Sequence, residues 1–537
     1  MSASLTETQK KVAAIWGEVL PNITARMLLP KSNFFEDGGH SILAQQMLFK
    51  VRREWPDIDI PMSAIFQSQT LEEFAAEIDR AQDPTGLRLD QNVDLASSIA
   101  DQAYSADARE LAEKLPATIA KSTEPEPTTT LLTGATGFLG SYILHTLLST
   151  SNQMRVIAHV RCKDAPSGLQ RLKGIAETYG LWREEWASRI QVVPGDISKP
   201  QLGMSTEDWD RLAQEVDLIV HNGAQVNWML PYSSLRPANV LSTMECVTLC
   251  NSGKPKRLAF VSSTSTLDTD HFVSQSRQGS KVLETDNLEG SAKGLGTGYG
   301  QSKWASEYIV REAGRRGLSG VVVRPGYITG DPVSGFSVTD DFLLRLWKAC
   351  IQVQARPDIP QNTINQVPVT HVSRVVVASL LHPPVEPLGV VQVTSHPRLT
   401  TNQYLGALET YGYNTPQVPY REWCTLLHNF VANDSNTGSK ELALLPLFHF
   451  VVGDLPSHSI APELDDAHAA KALRSFGTPP EQLNDLAVNE ETAGRYLAFL
   501  IATGFIPAPP AAGSKAIPEI DSQRLQALGS LGGRSSK

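Results

Sequence analysis

Leu131-Leu132-Thr133-Gly134-Ala135-Thr136-Gly137-Phe138-Leu139-Gly140 decides how this chain folds. An apolar strand end runs into a glycine-rich turn and then a helix-forming stretch. In that order a βα unit presents a tight turn and free helix amides to a dinucleotide pyrophosphate. Glycines also serve ordinary turns, so the loop takes its meaning from its surroundings. Gly134, Thr136, Gly137, Phe138, Leu139 and Gly140 are its candidate cofactor-binding residues.

Immediately downstream, Phe138 to Leu148 reads as a helix and Arg155-Val156-Ile157-Ala158-His159-Val160 as the second strand. An acidic residue about twenty positions past the loop would hold the ribose hydroxyls of NAD. Arg161 stands there instead. A guanidinium suits the 2′-phosphate of NADP, and Arg171 on the next helix reaches the same group. Gln191 to Ile197 and Asp217 to Ala224 are short apolar strands ending in polar and small residues, as strands lining a ligand crevice do. Asp196 and Ile197 are candidates for the adenine, with a loop cap as the alternative for Asp196. Asn222, Gly223 and Ala224 let a cofactor pass close to the backbone.

Leu258 to Thr264 forms a strand ending in hydroxyls, followed after a long connection by Gly298-Tyr299-Gly300-Gln301-Ser302-Lys303. Tyr299 and Lys303 stand at i, i+4 and share one helix face. An ammonium beside a phenol lowers the phenol's pKa and makes it a usable proton donor, while a third hydroxyl holds the reacting oxygen. With these residues in place, the segment from Thr128 onward resembles the extended short-chain dehydrogenase/reductase family. The resemblance implies an α/β fold, a Rossmann-like doubly wound parallel sheet with a smaller C-terminal substrate lobe. It makes Thr264 the catalytic hydroxyl, Tyr299 the general acid and Lys303 its partner and ribose ligand. Val323 to Gly330 resembles the family's segment over the nicotinamide, which adds Pro325, Gly326, Tyr327 and Ile328 to the cofactor set.

Upstream, Val12, Ile15, Trp16 and Val19 follow helical spacing, as do Leu43, Met47 and Val51, and again Leu71, Phe74, Ala75 and Ile78. Thr70 with Glu73 has the capping-box pattern. Between the first two helices, Gly38-Gly39-His40-Ser41 frees the backbone just before a serine at a helix start. Taken alone, Ser41 would be an ordinary N-cap. The string Asn33 to Ile42 resembles the attachment motif of acyl and peptidyl carrier domains, which implies 4′-phosphopantetheine on Ser41 in an all-α helix bundle. The expected boundaries are 1–81 for this carrier, 82–127 for a linker, 128–340 for the NADPH-binding core, 341–510 for the substrate lobe with a return to the sheet, and 511–537 for a tail. Glu-Pro alternation at Glu124 to Pro127 stiffens the linker, and Ala106 to Leu115 forms a short helix packing on the next domain. Such a tether delivers cargo at high effective concentration.

A carrier followed by such a reductase is similar to the thioester reductase end of nonribosomal peptide synthetases. More narrowly, NGAQVNWMLPYSSLRPANV, VSSTSTLDTDHF, GLGTGYGQSKW, VVRPGYITGD and the tail's Leu531-Gly532-Gly533-Arg534 resemble the fungal L-2-aminoadipate reductase group of lysine biosynthesis. The chain departs from that group at Asn227 and Leu230, where His and Tyr are expected, which leaves the acyl group open. The resemblance implies an acyl thioester on the pantetheine at Ser41, hydride from NADPH, protonation by Tyr299, and collapse of a hemithioacetal to an aldehyde. It implies as partners an adenylation domain, in cis or in trans, a phosphopantetheinyl transferase, and the carrier docking on its own reductase. Without room for an adenylation domain before the carrier, the chain reads as a standalone or excised carrier-reductase pair.

The bulk numbers fit. At 537 residues and 41% hydrophobic the chain holds more than one domain. A net charge of -10 gives no footing for nonspecific nucleic-acid or anionic-membrane binding. Five cysteines, odd in number and outside CxxC spacing, favour neither a disulfide framework nor a zinc site, and point to the cytoplasm. No signal-peptide core or membrane-length apolar run occurs, nor an HExxH metal motif. Three other classes compete. A noncatalytic dinucleotide sensor has no need of Tyr299 and Lys303, a redox-free thioester cyclase tends to lack the tyrosine, and a hydrolase would show GxSxG.

Overall fold

The computed structural model describes residues 5–20, 23–35, 37–38, 41–56, 58, 60, 64–65, 68–82, 103–123, 126–228, 230–432, 442–444, 447–448, 451–452, 455–456, 460–479 and 488–520. Gly39, His40, most of the first half of the expected linker and residues 521–537 of the expected tail lie outside them. The chain divides into two compact units. One comprises Met1–Ala100, Asn227–Pro231 and Arg421–His458, and the other the remainder.

In the smaller unit, α1 (Glu7–Val19) starts from a Thr6/Gln9 capping box and buries Val12, Ala13, Ile15, Trp16 and Val19. Helix α2 spans Ser41–Glu54 and α3 spans Leu71–Gln82, so Ser41 is the first residue of its helix. Thr70 and Glu73 cap α3 reciprocally at 3.1 and 3.4 Å. Phe34 is anchored in the bundle: its ring is fully buried, 5.1 Å from that of Trp16, and its N–H donates to Gln69 O. Burying one such side chain contributes roughly 1.5–3 kcal/mol.

The larger unit is built on seven parallel strands: β1 (Thr129–Thr133), β2 (Arg155–Val160), β3 (Ile190–Pro194), β4 (Leu218–His221), β5 (Arg257–Val261), β6 (Ser319–Pro325) and β7 (Leu388–Val393). Their order is β7-β6-β5-β4-β1-β2-β3, so the sheet reverses direction of growth between β1 and β4, the place where open α/β sheets take ligands. Being covered on both faces, the strands are rich in Val, Ile and Leu along their middles. Helices α4 (Phe138–Thr150), α8 (Val369–Leu381) and α9 (Ala467–Ser475) contribute to the core on one face. Helices α6 (Ser242–Cys250) and α7 (Gly298–Arg315) contribute to that on the other, and α5 (Ala165–Thr178) follows β2.

Register aligns one row across the C-terminal edge: Val193, His159, Thr133, His221, Phe260, Val322 and Val390 on β3, β2, β1, β4, β5, β6 and β7. Its second, third and fourth members, His159, Thr133 and His221, are polar and buried. Residues 103–113, inside the expected linker, form a helix whose Tyr104, Ala108, Leu111 and Ala112 are part of this unit's core. Tyr104 donates to Ser291 O at 2.6 Å and its ring sits 5.3 Å from Trp304. At the other end of the unit the chain also stays attached: Lys515 N donates to Thr410 O, and Lys515 pairs with Glu490. Among the described residues no helix is long and apolar enough to cross a membrane, and no acidic, His or Cys cluster of three could hold a metal.

Candidate active site

The glycine loop closes the switch point. Gly134 adopts φ +70°, and a Cβ there would stand 2.8 Å from Gly223 Cα on the neighbouring strand end. One at Gly140 would stand 2.0 Å from Gly134 O, so both glycines exist for close approach. Gly137 is the N-cap of α4 and supplies no side-chain cap, which leaves first-turn amides for an anion. Asn222 Nδ2 donates to Gly134 O at 3.4 Å. The cradle fits a dinucleotide pyrophosphate.

Arg161 is exposed directly after β2, and Arg171 Nη1 donates to its carbonyl at 3.0 Å. Arg171 thus braces the segment that carries Arg161. Asp196 Oδ1 accepts from Ser198 N and Oγ at 3.0 and 2.8 Å, the geometry of a loop cap. These bonds hold its carboxyl below the ordinary range, with smaller pulls from Lys199 and Arg161. Arg161 and Asp196 therefore flank one edge of the crevice, with Ile197 beside them.

At the other side of the switch point β5 ends at Val261, Ser262 and Ser263 follow, and a 3-10 turn runs over Thr264–Leu267. Thr297 caps α7, accepting from Gly300 N at 3.1 Å, and Tyr299 follows in the first turn. Ser263, the residue before the expected Thr264 at the start of the turn, acts on the Tyr299 phenol and pulls it toward ionisation. Lys303 is buried, donates to Val261 O at 2.8 Å and lies 5.1 Å over the Phe260 ring. Burial pulls Lys303 down to about 7, against the raising charge of Glu307. Desolvation likewise pushes Tyr299 up to about 12, against the pull of Ser263. The lowering that the sequence leads one to expect from Lys303 does not enter: desolvation and Ser263 set the Tyr299 shift, its direction is upward, and Tyr299 is a neutral hydroxyl donor.

Beneath these groups lies a residue that the sequence reading passed over. Glu307, one turn beyond Lys303 and fully buried, accepts from Arg324 Nε at 3.0 Å on both oxygens and from Ser262 Oγ at 2.7 Å. Arg311 approaches it at 3.5 Å. Burial raises this carboxyl, but Arg324, Arg311 and Ser262 more than offset that and the net shift is downward. The ion pair therefore ties three site-bearing elements together: β5, α7 and the end of β6. Arg324 directly precedes Pro325-Gly326-Tyr327. There Gly326 N donates to Val393 O and Tyr327 N to Asn365 O, and a Cβ on Gly326 would meet Asn365 Nδ2 at 2.4 Å. Tyr327 to Thr329 pairs in parallel with Gln366 to Pro368, which sets Ile328 opposite Val367. A helix spacing of i, i+4, i+8 from Tyr299 was the available signal for Glu307.

The expected acyl-pocket positions behave differently. Asn227 accepts from Leu230 N at 3.2 Å, and the segment Asn227–Pro231 belongs to the smaller unit, as does Arg421–His458 from the expected substrate lobe.

Residues 10–78 match the family model described as "Phosphopantetheine attachment site", and residues 132–376 match an NAD-binding model described as "Male sterility protein". The chain is 49% identical to the L-2-aminoadipate reductase large subunit of Penicillium chrysogenum, over 99% of this chain and 39% of that protein. It spans about two-fifths of the length of the curated relatives it matches. Among solved structures, the terminal R domain from the myxalamid PKS-NRPS pathway is 32% identical with a TM-score of 0.64, covering 75% of this chain and 99% of that one. A thiolation-reductase di-domain from an archaeal non-ribosomal peptide synthetase shares the fold over 94% of this chain and 99% of that one, with a TM-score of 0.70 at 19% identity.

Proposed function

The chain belongs to the family of terminal reductase (R) domains of peptide synthetases, joined to a phosphopantetheine carrier, and we propose that it releases a carrier-bound acyl thioester as an aldehyde. The single observation that carries this reading is the grouping of Tyr299 and Ser263, both half-buried, with the buried Lys303 beside the glycine cradle. NADPH, when bound, supplies the hydride. Gly134, Thr136, Gly137, Phe138, Leu139 and Gly140 hold the pyrophosphate, and Arg161, braced by Arg171, meets the 2′-phosphate. Asp196 and Ile197 border the adenine, and Asn222 to Ala224 with Pro325 to Ile328 line the path to the nicotinamide.

The chemistry of the chain's own residues follows from their protonation. Tyr299, neutral at working pH, donates to the thioester carbonyl oxygen as negative charge grows on it, and Thr264 supplies a second hydroxyl. Ser263 keeps the phenol in place. Lys303, held by Val261 O, contributes positive charge beside the phenol and reaches the ribose. The carbon-sulfur bond then breaks, freeing aldehyde and thiol. Ser41 carries the thiol arm, at a helix start whose amides favour a phosphodiester.

The acyl group we propose is L-2-aminoadipyl, on the strength of the relatives' names, and Asn227 and Leu230 favour a second reading in which another amino or aryl acid is used. An adenylation domain and a phosphopantetheinyl transferase are the partners this requires, in a cytoplasmic setting. The test is to load Ser41 with each acyl group, follow NADPH oxidation, and trap the aldehyde. Tyr299→Phe should lower the rate about 10²–10⁴-fold. Unchanged aldehyde formation would remove Tyr299 as the acid, and thiol release without NADPH oxidation would favour the cyclase class.

A further inference from the structure

Three polar residues, His159, Thr133 and His221, interrupt the apolar register row across the sheet, and one of them is bonded on both ring nitrogens. His221 is 1% exposed. Its Nδ1 lies 2.9 Å from Thr133 Oγ1 and its Nε2 lies 3.1 Å from Ser242 Oγ. The partners decide which nitrogen carries the proton. Ser242 spends its single hydroxyl hydrogen on Ala238 O at 2.7 Å, so toward His221 it accepts, and Nε2 is the N–H. Nδ1 is then the acceptor for the Thr133 hydroxyl. Thr133 Oγ1 in turn accepts from the backbone N–H of Gly223 at 2.9 Å. Burial, with the charges of Lys303 and His159, pulls the ring down to about 3 and keeps it neutral.

The result is one directional chain, Gly223 N–H to Thr133, Thr133 to His221, His221 to Ser242, and Ser242 to Ala238 O. It starts at the backbone that passes over Gly134, where a Cβ on Gly223 would stand 3.1 Å from Thr133 Oγ1. It ends on Ala238 O, in the π-helical turn Pro237–Leu241 that leads into α6. We propose that His221 is a positioning residue for the dinucleotide site, holding Gly223 against Gly134 through the Thr133 hydroxyl. This rests on the dinucleotide reading of the glycine loop.

Two measurements on the full chain test it. In the first, NADPH affinity is read directly from nicotinamide fluorescence for wild type, Thr133→Val and Thr133→Ser. Thr133→Val removes the hydroxyl at constant volume and should weaken NADPH binding at least about tenfold, mainly in KM rather than kcat, while Thr133→Ser restores it. In the second, the ¹⁵N spectrum of histidine-labelled wild type at pH 7 should show His221, assigned by its displacement in Thr133→Ser, as the Nε2–H tautomer. Wild-type affinity in Thr133→Val, or an Nδ1–H or cationic His221 in the wild type, overturns the inference and leaves the cofactor reading intact. Failure of the wild type itself to bind NADPH overturns both. Should Thr133→Val not fold, the tautomer and the Thr133→Ser affinity still decide.

Discussion

Two buried polar knots hold the two sides of this site, and they are made of opposite materials. Under the glycine cradle, Thr133, His221 and Ser242 form a neutral chain that ends on backbone at both sides. Under the tyrosine, Ser262, Glu307 and Arg324 form a charged one, with Arg311 and Lys303 close by. The first only has to keep two backbones close enough for a bound anion, and neutral hydrogen bonds do that with little desolvation cost. The second surrounds groups that move a proton, where a fixed carboxylate sets how strongly a buried lysine stays charged.

The largest expected effect breaks the charged knot. Glu307→Ala leaves Arg324 buried without its carboxylate and should destabilise the larger unit by about 3–5 kcal/mol, read as a shift in urea midpoint. Replacing Glu307 and Arg324 together by apolar residues of similar volume should recover most of that loss, because paired burial is itself costly. If the single change were as mild as an average surface substitution, the charged knot would be no different in kind from the neutral one.

Next comes the oxyanion side. Thr264→Ala should lower kcat about 10²-fold if its hydroxyl meets the reacting oxygen, whereas Ser263→Ala should cost only about tenfold through a loosened and less acidic phenol. The reverse order in kcat measurements would hand Thr264's role to Ser263.

The pH profile sharpens the same contrast. Lys303 has a folded pKa of about 7, far below the ordinary lysine value, and it acts as a cation. Rate through the free enzyme should therefore fall as pH rises through about 7. Above that pH the unfolded chain binds a proton that the folded chain has released, so this group makes stability rise with pH up to the ordinary lysine range. In Glu307→Gln the raising charge is gone, and the rate should fall at lower pH than in the wild type. An unmoved profile would show that Glu307 only packs.

How far these features could be read in advance depended on whether they leave a local pattern. The helices of the smaller unit, the strand runs and the Thr70/Glu73 cap follow from spacing within a few residues, and the glycine loop from its order between strand and helix. Arg324 and His221 act through partners 17 to 88 positions away, and a lone buried polar residue carries no periodicity to betray it; Glu307 does share the helix face of Tyr299 and Lys303, but spacing does not show that it meets Ser262 and Arg324. Ser263 was hidden by abundance, since Ser262 to Thr266 are five hydroxyl residues in a row and spacing alone cannot say which one faces Tyr299. Asn227–Pro231 and Arg421–His458 group with the smaller unit although they lie inside the expected core and lobe, because spatial grouping need not respect linear boundaries.

The smallest expected effect falls at the exposed rim of the neutral side, and it tests whether charge is needed there at all. Arg161 stands outside the knot, unburied, with its carbonyl held by Arg171. A solvent-screened guanidinium meeting a phosphate should contribute about 1.5–3 kcal/mol at most, and only to a cofactor carrying that phosphate. Arg161→Ala should therefore weaken NADPH binding by roughly one order of magnitude while leaving NADH nearly unchanged, and the gap between the two should close as ionic strength rises. Equal losses for both cofactors would mean that Arg161 supports the loop rather than the 2′-phosphate. The neutral knot alone would then account for dinucleotide binding.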